Sequence, residues 1–185
     1  PIRLQHKTKV PALPKIPEHQ VKHYYKEYYN KYPNIKYYAN SSNDHETYYY
    51  SEVEKGLHNY ASTHDINLEE YLKEIDWEME QVKGLGEIFD GECMADYFTV
   101  VHKNVDLIWS KGDSLVGIGR GSDGAYVTNM LLGITGIDPM LPENRDYFPP
   151  WRFCSTARSS SLFDADIDIQ SFKKEQIIKA IKDYY

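Results

Sequence analysis

The chain has 185 residues and a mass of 21.6 kDa, the size of one domain or of one domain with part of another. Its 28 Asp+Glu against 21 Lys+Arg leave a formal net charge of −7, which excludes a globally basic nucleic-acid binder but not a locally basic surface. Hydrophobic residues at 41% and aromatics at 14% suffice for a core and exclude a wholly disordered chain, while two cysteines, Cys93 and Cys154, exclude a disulfide framework or a four-cysteine zinc site.

The start of the chain differs from the rest. Residues 1–38 carry 8 Lys+Arg and 2 Asp+Glu, a net of +6, whereas the remaining 147 carry 13 and 26, a net of −13. Four of the nine prolines, Pro1, Pro11, Pro14 and Pro17, fall in the first 17 residues and predict an extended connector, because proline fixes φ and lacks an amide donor. Eleven of the 17 tyrosines lie within the first 60 residues, interleaved with lysines. Two readings stand: a surface that tracks a phosphate backbone and stacks bases, or an amphipathic helix that packs its tyrosines on a neighbouring domain. Residues 1–60 are therefore set apart as a basic, Tyr/Pro-rich lead-in, and residues 61–185 as the second segment. No apolar run approaches the roughly 20 residues that cross a bilayer. Residues 1–10 lack the apolar stretch of a secretory signal. A reducing, cytoplasmic setting with no membrane partner is the expectation.

Three helices are predicted further on. Asn67 is placed as an N-cap with Glu70 completing a capping box, followed by Leu68, Tyr71, Leu72, Ile75, Met79 and Val82 at helical spacing. Gly84 and Gly86 are expected to end it, and Glu69, Glu74, Glu78 and Glu80 are read as a solvated acidic face. A second helix is expected over residues 97–109, with Tyr97, Val101, Val105 and Ile108 on one stripe, and a third over 173–185, with Ile177, Ile178, Ile181 and Tyr185 inward.

Between the second and third lie two segments that carry chemistry. Residues 115–118 read as a short buried strand, followed by Gly119-Arg120-Gly121-Ser122 and then Gly124. Glycines let the backbone turn tightly and bring its amides close to a ligand. A helix after the turn would aim free amides at the same spot. Ser122 adds a hydroxyl and Arg120 a fork of donors suited to phosphate. Anion binding and a plain strand–helix turn both remain open on these residues alone. No Lys follows the glycines, so the turn is not a P-loop, and the acids about 20 residues on, Glu143 and Asp146, lie in a Pro-rich loop unsuited to a dinucleotide fold.

Residues 163–169 alternate. Read as a strand, Asp164, Asp166 and Asp168 share one face, and Phe163, Ala165, Ile167 and Ile169 the other. Like charges about 7 Å apart repel, and cations between them would relieve this. Hard oxygen donors suit Mg²⁺ or Mn²⁺, and two such ions support phosphoryl transfer. Calcium-loop spacing also fits Asp164, Asp166, Asp168 and Glu175, but Ile169 stands where that loop needs Gly. A solvated edge-strand face is the plain alternative.

In order along the chain, Met94-Ala95-Asp96-Tyr97-Phe98, Gly117-Ile118-Gly119-Arg120-Gly121-Ser122, Leu131-Leu132-Gly133-Ile134-Thr135-Gly136-Ile137-Asp138-Pro139, Trp151-Arg152-Phe153 with Arg158, and Asp164-Ala165-Asp166-Ile167-Asp168-Ile169 resemble the palm of C-family bacterial replicative DNA polymerases, the alpha subunit of DNA polymerase III. The resemblance covers residues 96–169 well, 60–95 loosely and 1–59 little.

The resemblance implies an α/β (α+β) palm of the nucleotidyltransferase, polymerase-beta-like type, with a small mixed sheet flanked by helices, here incomplete. Gly119, Arg120, Gly121, Ser122, Arg152 and Arg158 would face phosphates of a deoxynucleoside triphosphate or of primer–template DNA. Arg152 and Arg158 alternatively pair with local acids. Asp164 and Asp166 would be the catalytic metal ligands, and Asp168 the third metal ligand of the motif, for two Mg²⁺ or Mn²⁺ ions. Four departures stand out: Asp123-Gly124-Ala125-Tyr126 replaces small neutral residues, Phe163 replaces Pro, Ala165 replaces a large apolar residue, and one extra residue separates Arg152 from Asp164. No later acidic strand matches the family's third catalytic Asp, and the seven histidines form no phosphoesterase cluster. The expectation is a piece of a DNA polymerase, in cis with or split from thumb and fingers, with other replisome subunits as further candidate partners, and inactive alone. The alternative is a decayed, non-catalytic binding module.

Overall fold

In the computed structural model, which describes residues 9–19, 21–158 and 162–185, the chain is helical. Its α-helices run α1 Pro33–Ala39, α2 Asp44–Thr63, α3 Leu68–Ile88, α4 Ala95–Ser110, α5 Val127–Leu131, α6 Pro142–Arg145 and α7 Lys174–Tyr184, with short 3-10 turns between. One core joins the tyrosines of the first 60 residues to α3, α4 and α5. Helix α2 runs across residue 60 and packs against both α4 and α5. Among the described residues no helix is long and apolar enough to cross a membrane.

Many of the early tyrosines neither face solvent for base stacking nor wait for a neighbouring domain. Tyr25, Tyr29, Tyr38, Tyr48, Tyr49 and Tyr50 are buried within this chain. They continue as an aromatic series through the core: Tyr38 on Tyr49 at 5.5 Å, Tyr49 on Phe98 at 5.4 Å, and Phe98 parallel to Tyr126 at 6.5 Å. Such ring contacts combine large area burial with fixed geometry. The buried carboxylate of Glu54 organises the lead-in, accepting from the Tyr25 amide at 2.9 Å and the Tyr29 hydroxyl at 2.8 Å.

Helix α3 is the spine, and its acidic face is solvated only in part: Glu69 and Glu80 are exposed as expected, whereas Glu74 is half-buried. Glu78 is fully buried. Asp76 accepts from the Asn34 and Ile35 amides at 2.8 and 2.9 Å, capping the start of α1, where Pro33 needs no donor. Glu74 takes a 2.9 Å ion pair from Arg145. The helix also outruns its expected end. A Cβ on Gly84 would lie 2.7 Å from the Thr156 side chain, and one on Gly86 would lie 2.6 Å from the Glu92 carbonyl. Both glycines therefore serve close packing within α3 rather than its termination. Asn67 stands at the N-cap, but its side chain makes no capping bond. Helix α4 forms nearly as expected. Of the residues expected inward on α7, only Ile177 is buried.

The expected mixed-sheet palm is overturned. Among the described residues the only β pairing is a single antiparallel bridge, Val116 to Ile169. The Gly117 amide donates to the Asp168 carbonyl at 2.9 Å, but the next positions are completed by side chains: Gln170 Oε1 takes the Leu115 amide, and Ser114 Oγ takes the Gln170 amide. On the other side Gly136 N donates to the Ile118 carbonyl. Three short extended pieces thus touch without enough consecutive backbone pairs to make strands. Residues 115–118 are not buried either; Leu115 is 61% exposed and Ile118 73%.

Helix α2 packs tightly on α5 at Gly56, where a Cβ would sit 2.1 Å from the Leu131 carbonyl oxygen. Gly56→Ala is expected to cost about 3 kcal/mol or more, by overpacking against backbone that cannot yield. Gly133→Ala meets open space at φ +70° and is expected to cost only about 1 kcal/mol of left-handed strain. Urea unfolding of the two variants checks this order; equal losses would contradict the α2–α5 contact.

Candidate functional site

The site is built on the turn before α5. Gly119 adopts φ +143° and Gly121 φ +70°, both in the region that favours glycine. Under Gly119, the space a Cβ would need is filled by Ile137 at 2.9 Å and Thr135 at 3.4 Å. A 3-10 turn at Asp123–Ala125 follows, then α5. Asn129 Nδ2 donates to the Asp123 carbonyl at 2.8 Å and closes this bend.

The amides at the start of α5 are not free for an anion, as the turn-then-helix pattern suggested. Glu78 Oε1 accepts from Val127 N at 2.6 Å and Glu78 Oε2 from Thr128 N at 2.9 Å. An internal carboxylate thus occupies the positive end of a five-residue helix. Burial raises the Glu78 carboxyl to about 8, with the bonds from Thr128 and Val127 pulling the other way.

The acid row lies against this turn. A Cβ on Gly121 would be 3.0 Å from Asp166 Oδ2, and one on Gly117 would be 2.9 Å from Asp168 Cβ. Asp164, Asp166 and Asp168 are exposed and Phe163, Ala165 and Ile167 are half-buried, but Ile169, expected on the inner face, is exposed, so the alternation read from the sequence holds without a sheet only over residues 163–168. Phe163 anchors the row, packing on Tyr97 at 4.3 Å, Phe153 at 4.9 Å and Phe98 at 5.5 Å. The residue that departs from the family's proline is thus the one that fixes Asp164 to the core.

The other expected site residues are placed as follows. Arg120 is exposed and turns to the row, its Nη1 3.2 Å from Asp168 Oδ1. Ser122 is half-buried, and its carbonyl accepts from Ala125 N. Arg152 is exposed on the 3-10 turn Pro150–Arg152, with Nη1 3.4 Å from the Tyr147 carbonyl. The side chain of Arg158 lies outside the described residues. The structure therefore brings together Arg120, Gly121, Asp166 and Asp168, with Asp164 on the same edge. Among the described residues no three His, Cys, Asp or Glu side chains are gathered closely enough to hold a metal ion. The donor set nevertheless suits a hard divalent cation: oxygen-only, exposed and two residues apart.

Sequence reasoning missed two residues here. Glu78 sits three residues after Ile75 and four before Val82, within the apolar stripe of α3, and that spacing is the signal of burial. The α4 stripe marks Tyr97 as a core residue alone, yet its hydroxyl feels the charges of both Asp164 and Asp123. Burial first, then these charges, holds it well above the ordinary tyrosine range.

A family model described as "Bacterial DNA polymerase III alpha NTPase domain" matches residues 47–185. The chain is 29% identical over 187 residues to "Probable DNA polymerase YorL" of Bacillus subtilis (strain 168) and to the "DNA-directed DNA polymerase" of Bacillus phage SPbeta, alignments covering 98% of this chain and 14% of each relative. It is 32% identical over 123 residues to "DNA polymerase III subunit alpha" of Staphylococcus aureus (strain Mu50 / ATCC 700699), covering 65% of this chain and 10% of that protein. The chain belongs to the bacterial DNA polymerase III alpha NTPase-domain family. It spans about one seventh of the length of the first two relatives.

The raised Glu78 carboxyl sets a pH dependence. The unfolded carboxyl loses its proton near 4.5 and the folded one near 8, so between these values the folded chain binds the extra proton and stability falls as pH rises. The slope is at most about 1.4 kcal/mol per pH unit for one proton. In Glu78→Gln this slope should flatten, while the amide, set against two backbone donors, lowers stability by about 1–3 kcal/mol. Urea midpoints from pH 5 to about 8 read both effects; an unchanged slope would contradict the assignment.

Proposed function

We propose that this chain is the part of a DNA polymerase that holds the incoming deoxynucleoside triphosphate beside two divalent ions, for transfer of a nucleotide to a primer 3′ end. What carries the reading is the contact of Asp166 with Gly121: the acid row and the glycine turn meet edge to edge. Gly119, Gly121 and Ser122 would approach the triphosphate through backbone and hydroxyl donors. Arg120 would leave Asp168 for a phosphate, an exchange that costs little because the pair is exposed on both sides. Asp164 and Asp166, with Asp168 beside them, would hold Mg²⁺ or Mn²⁺. Those ions would neutralise phosphate charge and polarise the reacting phosphorus centre. Arg152 and Arg158 would face further phosphates of the nucleotide or of primer–template DNA. Such a segment acts with the rest of the polymerase, in cis or as a separate chain beside other replisome subunits, and does not polymerise alone.

A second reading is favoured by two observations. Glu78 fills the α5 amides, and Asp123 places a carboxylate under the turn. Both oppose phosphate at that end and suit a non-catalytic module that binds the replisome or DNA.

The two readings separate in a thermal melt with Mn²⁺ and a deoxynucleoside triphosphate. The first predicts a rise of several degrees at a ligand concentration about 100 times Kd, lost in Asp164→Asn. No rise in the wild-type chain at millimolar ligand would sink it.

A further inference from the structure

Residues 131–139 resemble the family pattern, yet they supply none of the groups proposed to meet phosphate or metal. Their place in the fold gives them another part. The Ile137 side chain lies under the glycine turn: a Cβ on Gly119 would come within 2.9 Å of its Cδ1, and one on Gly124 within 3.2 Å. Just before the turn, Gly136 N donates to the Ile118 carbonyl at 2.5 Å. Residues 135–137 thus form the floor of the turn. One end of this floor is tied to α5, where the Asn129 carbonyl accepts from Ile134 N at 2.9 Å. The other end is fixed by Asp138, which is buried. Its Oδ2 accepts from the Tyr60 hydroxyl of α2 at 2.7 Å and from the Tyr71 hydroxyl of α3 at 2.6 Å, and its Oδ1 accepts from Met140 N at 2.9 Å. Hydroxyl bonds of this length to a carboxylate are charge-assisted. His64 stacks on the Tyr60 ring at 3.9 Å and backs it from outside.

We propose that Tyr60 and Tyr71 are positioning residues for the glycine turn: through Asp138 they hold Ile137, and with it the backbone of residues 119–124, in the place from which that backbone meets a triphosphate. The inference rests on the nucleotide-binding role given to the turn above. Ile137 leaves no room under Gly119 or Gly124. Packed atoms at these distances do not compress, so a shift of the floor carries the turn with it. Two helices from either side of residue 64 therefore converge on one carboxylate oxygen and set the height of a turn some fifty residues later. Removing one hydroxyl leaves Asp138 with the other tyrosine and the Met140 amide, so it loosens the floor without emptying the carboxylate of partners.

Tyr60→Phe, Tyr71→Phe and the double variant test this against Tyr29→Phe, which removes a comparable hydroxyl bond, to Glu54, from the lead-in. Amide resonances of residues 119–124 are followed in the ligand-free chains, and calorimetry gives the affinity for a deoxynucleoside triphosphate with Mn²⁺. The turn amides should shift in both single variants, shift further in the double variant, and stay in place in Tyr29→Phe. Affinity should fall about tenfold in the double variant, as for residues that act on a site without touching its ligand, and hold in Tyr29→Phe. Unmoved turn amides in the double variant overturn the inference whatever the affinity. So does an equal loss of affinity in Tyr29→Phe, which would make the effect one of general stability. Unchanged affinity in the double variant, where wild type binds, overturns it as well. If the turn amides move but wild type binds no nucleotide, the nucleotide reading fails and the hold of the two tyrosines on the turn stands.

Discussion

The carboxylates of α3 hold this molecule together. A helix start leaves backbone amides without partners and carries partial positive charge. Here one long helix supplies the acceptors: Asp76 for α1 and Glu78 for α5. These bonds fix two helices from distant parts of the sequence against a single spine. The Glu78 bond bears on the candidate site, because only the 3-10 turn at Asp123–Ala125 separates the glycine turn from α5. The orientation of that turn is inherited from a buried acid some fifty residues earlier in the chain.

From that anchor the site follows by packing. Tyr126, next to the capped end of α5, lies 5.0 Å from Phe153, which meets Phe163, and Phe163 carries Asp164. Aromatic contacts, rather than a sheet, set the acid row beside the turn. This explains how the row keeps its inside–outside alternation with one bridge only. It also explains how the chain departs from the family at residue 163 while still placing the acids on the same edge. Against this stands the chemistry of the turn itself. Its following helix is already capped, and Asp123 adds negative charge where a triphosphate would come.

What the sequence made legible was local and periodic. The α4 stripe, the alternation at residues 163–168 and the order of the family motifs all depend on spacing, and spacing is visible in one dimension. The tyrosine-rich start misled because composition alone does not say whether aromatic rings pack inward or await a partner; burial of Tyr38, Tyr49 and Tyr50 depends on helices α3 and α4 far along the chain. Gly84 and Gly86 read as helix stops, yet their missing side chains make room for Thr156 and Glu92. The sheet failed for a related reason. Alternation describes a segment, but a strand requires a partner with consecutive backbone pairs, and Ser114 and Gln170 use side chains where a ladder would continue. Glu78 is the instructive miss. Its position between Ile75 and Val82 marked it as buried, but its charge argued for solvent, and the two α5 amides that it accepts from decided the matter.

The functional reading depends on the glycine turn and the acid row acting as one site. Backbone NMR of the chain titrated with substoichiometric Mn²⁺ tests it most directly, because the paramagnetic ion broadens amides near it in space whatever their distance in sequence. Residues 119–123 and 164–168 should broaden together at the same concentration, with α1 and α7 unaffected. Broadening confined to one segment, or centred on other surface acids, would contradict it.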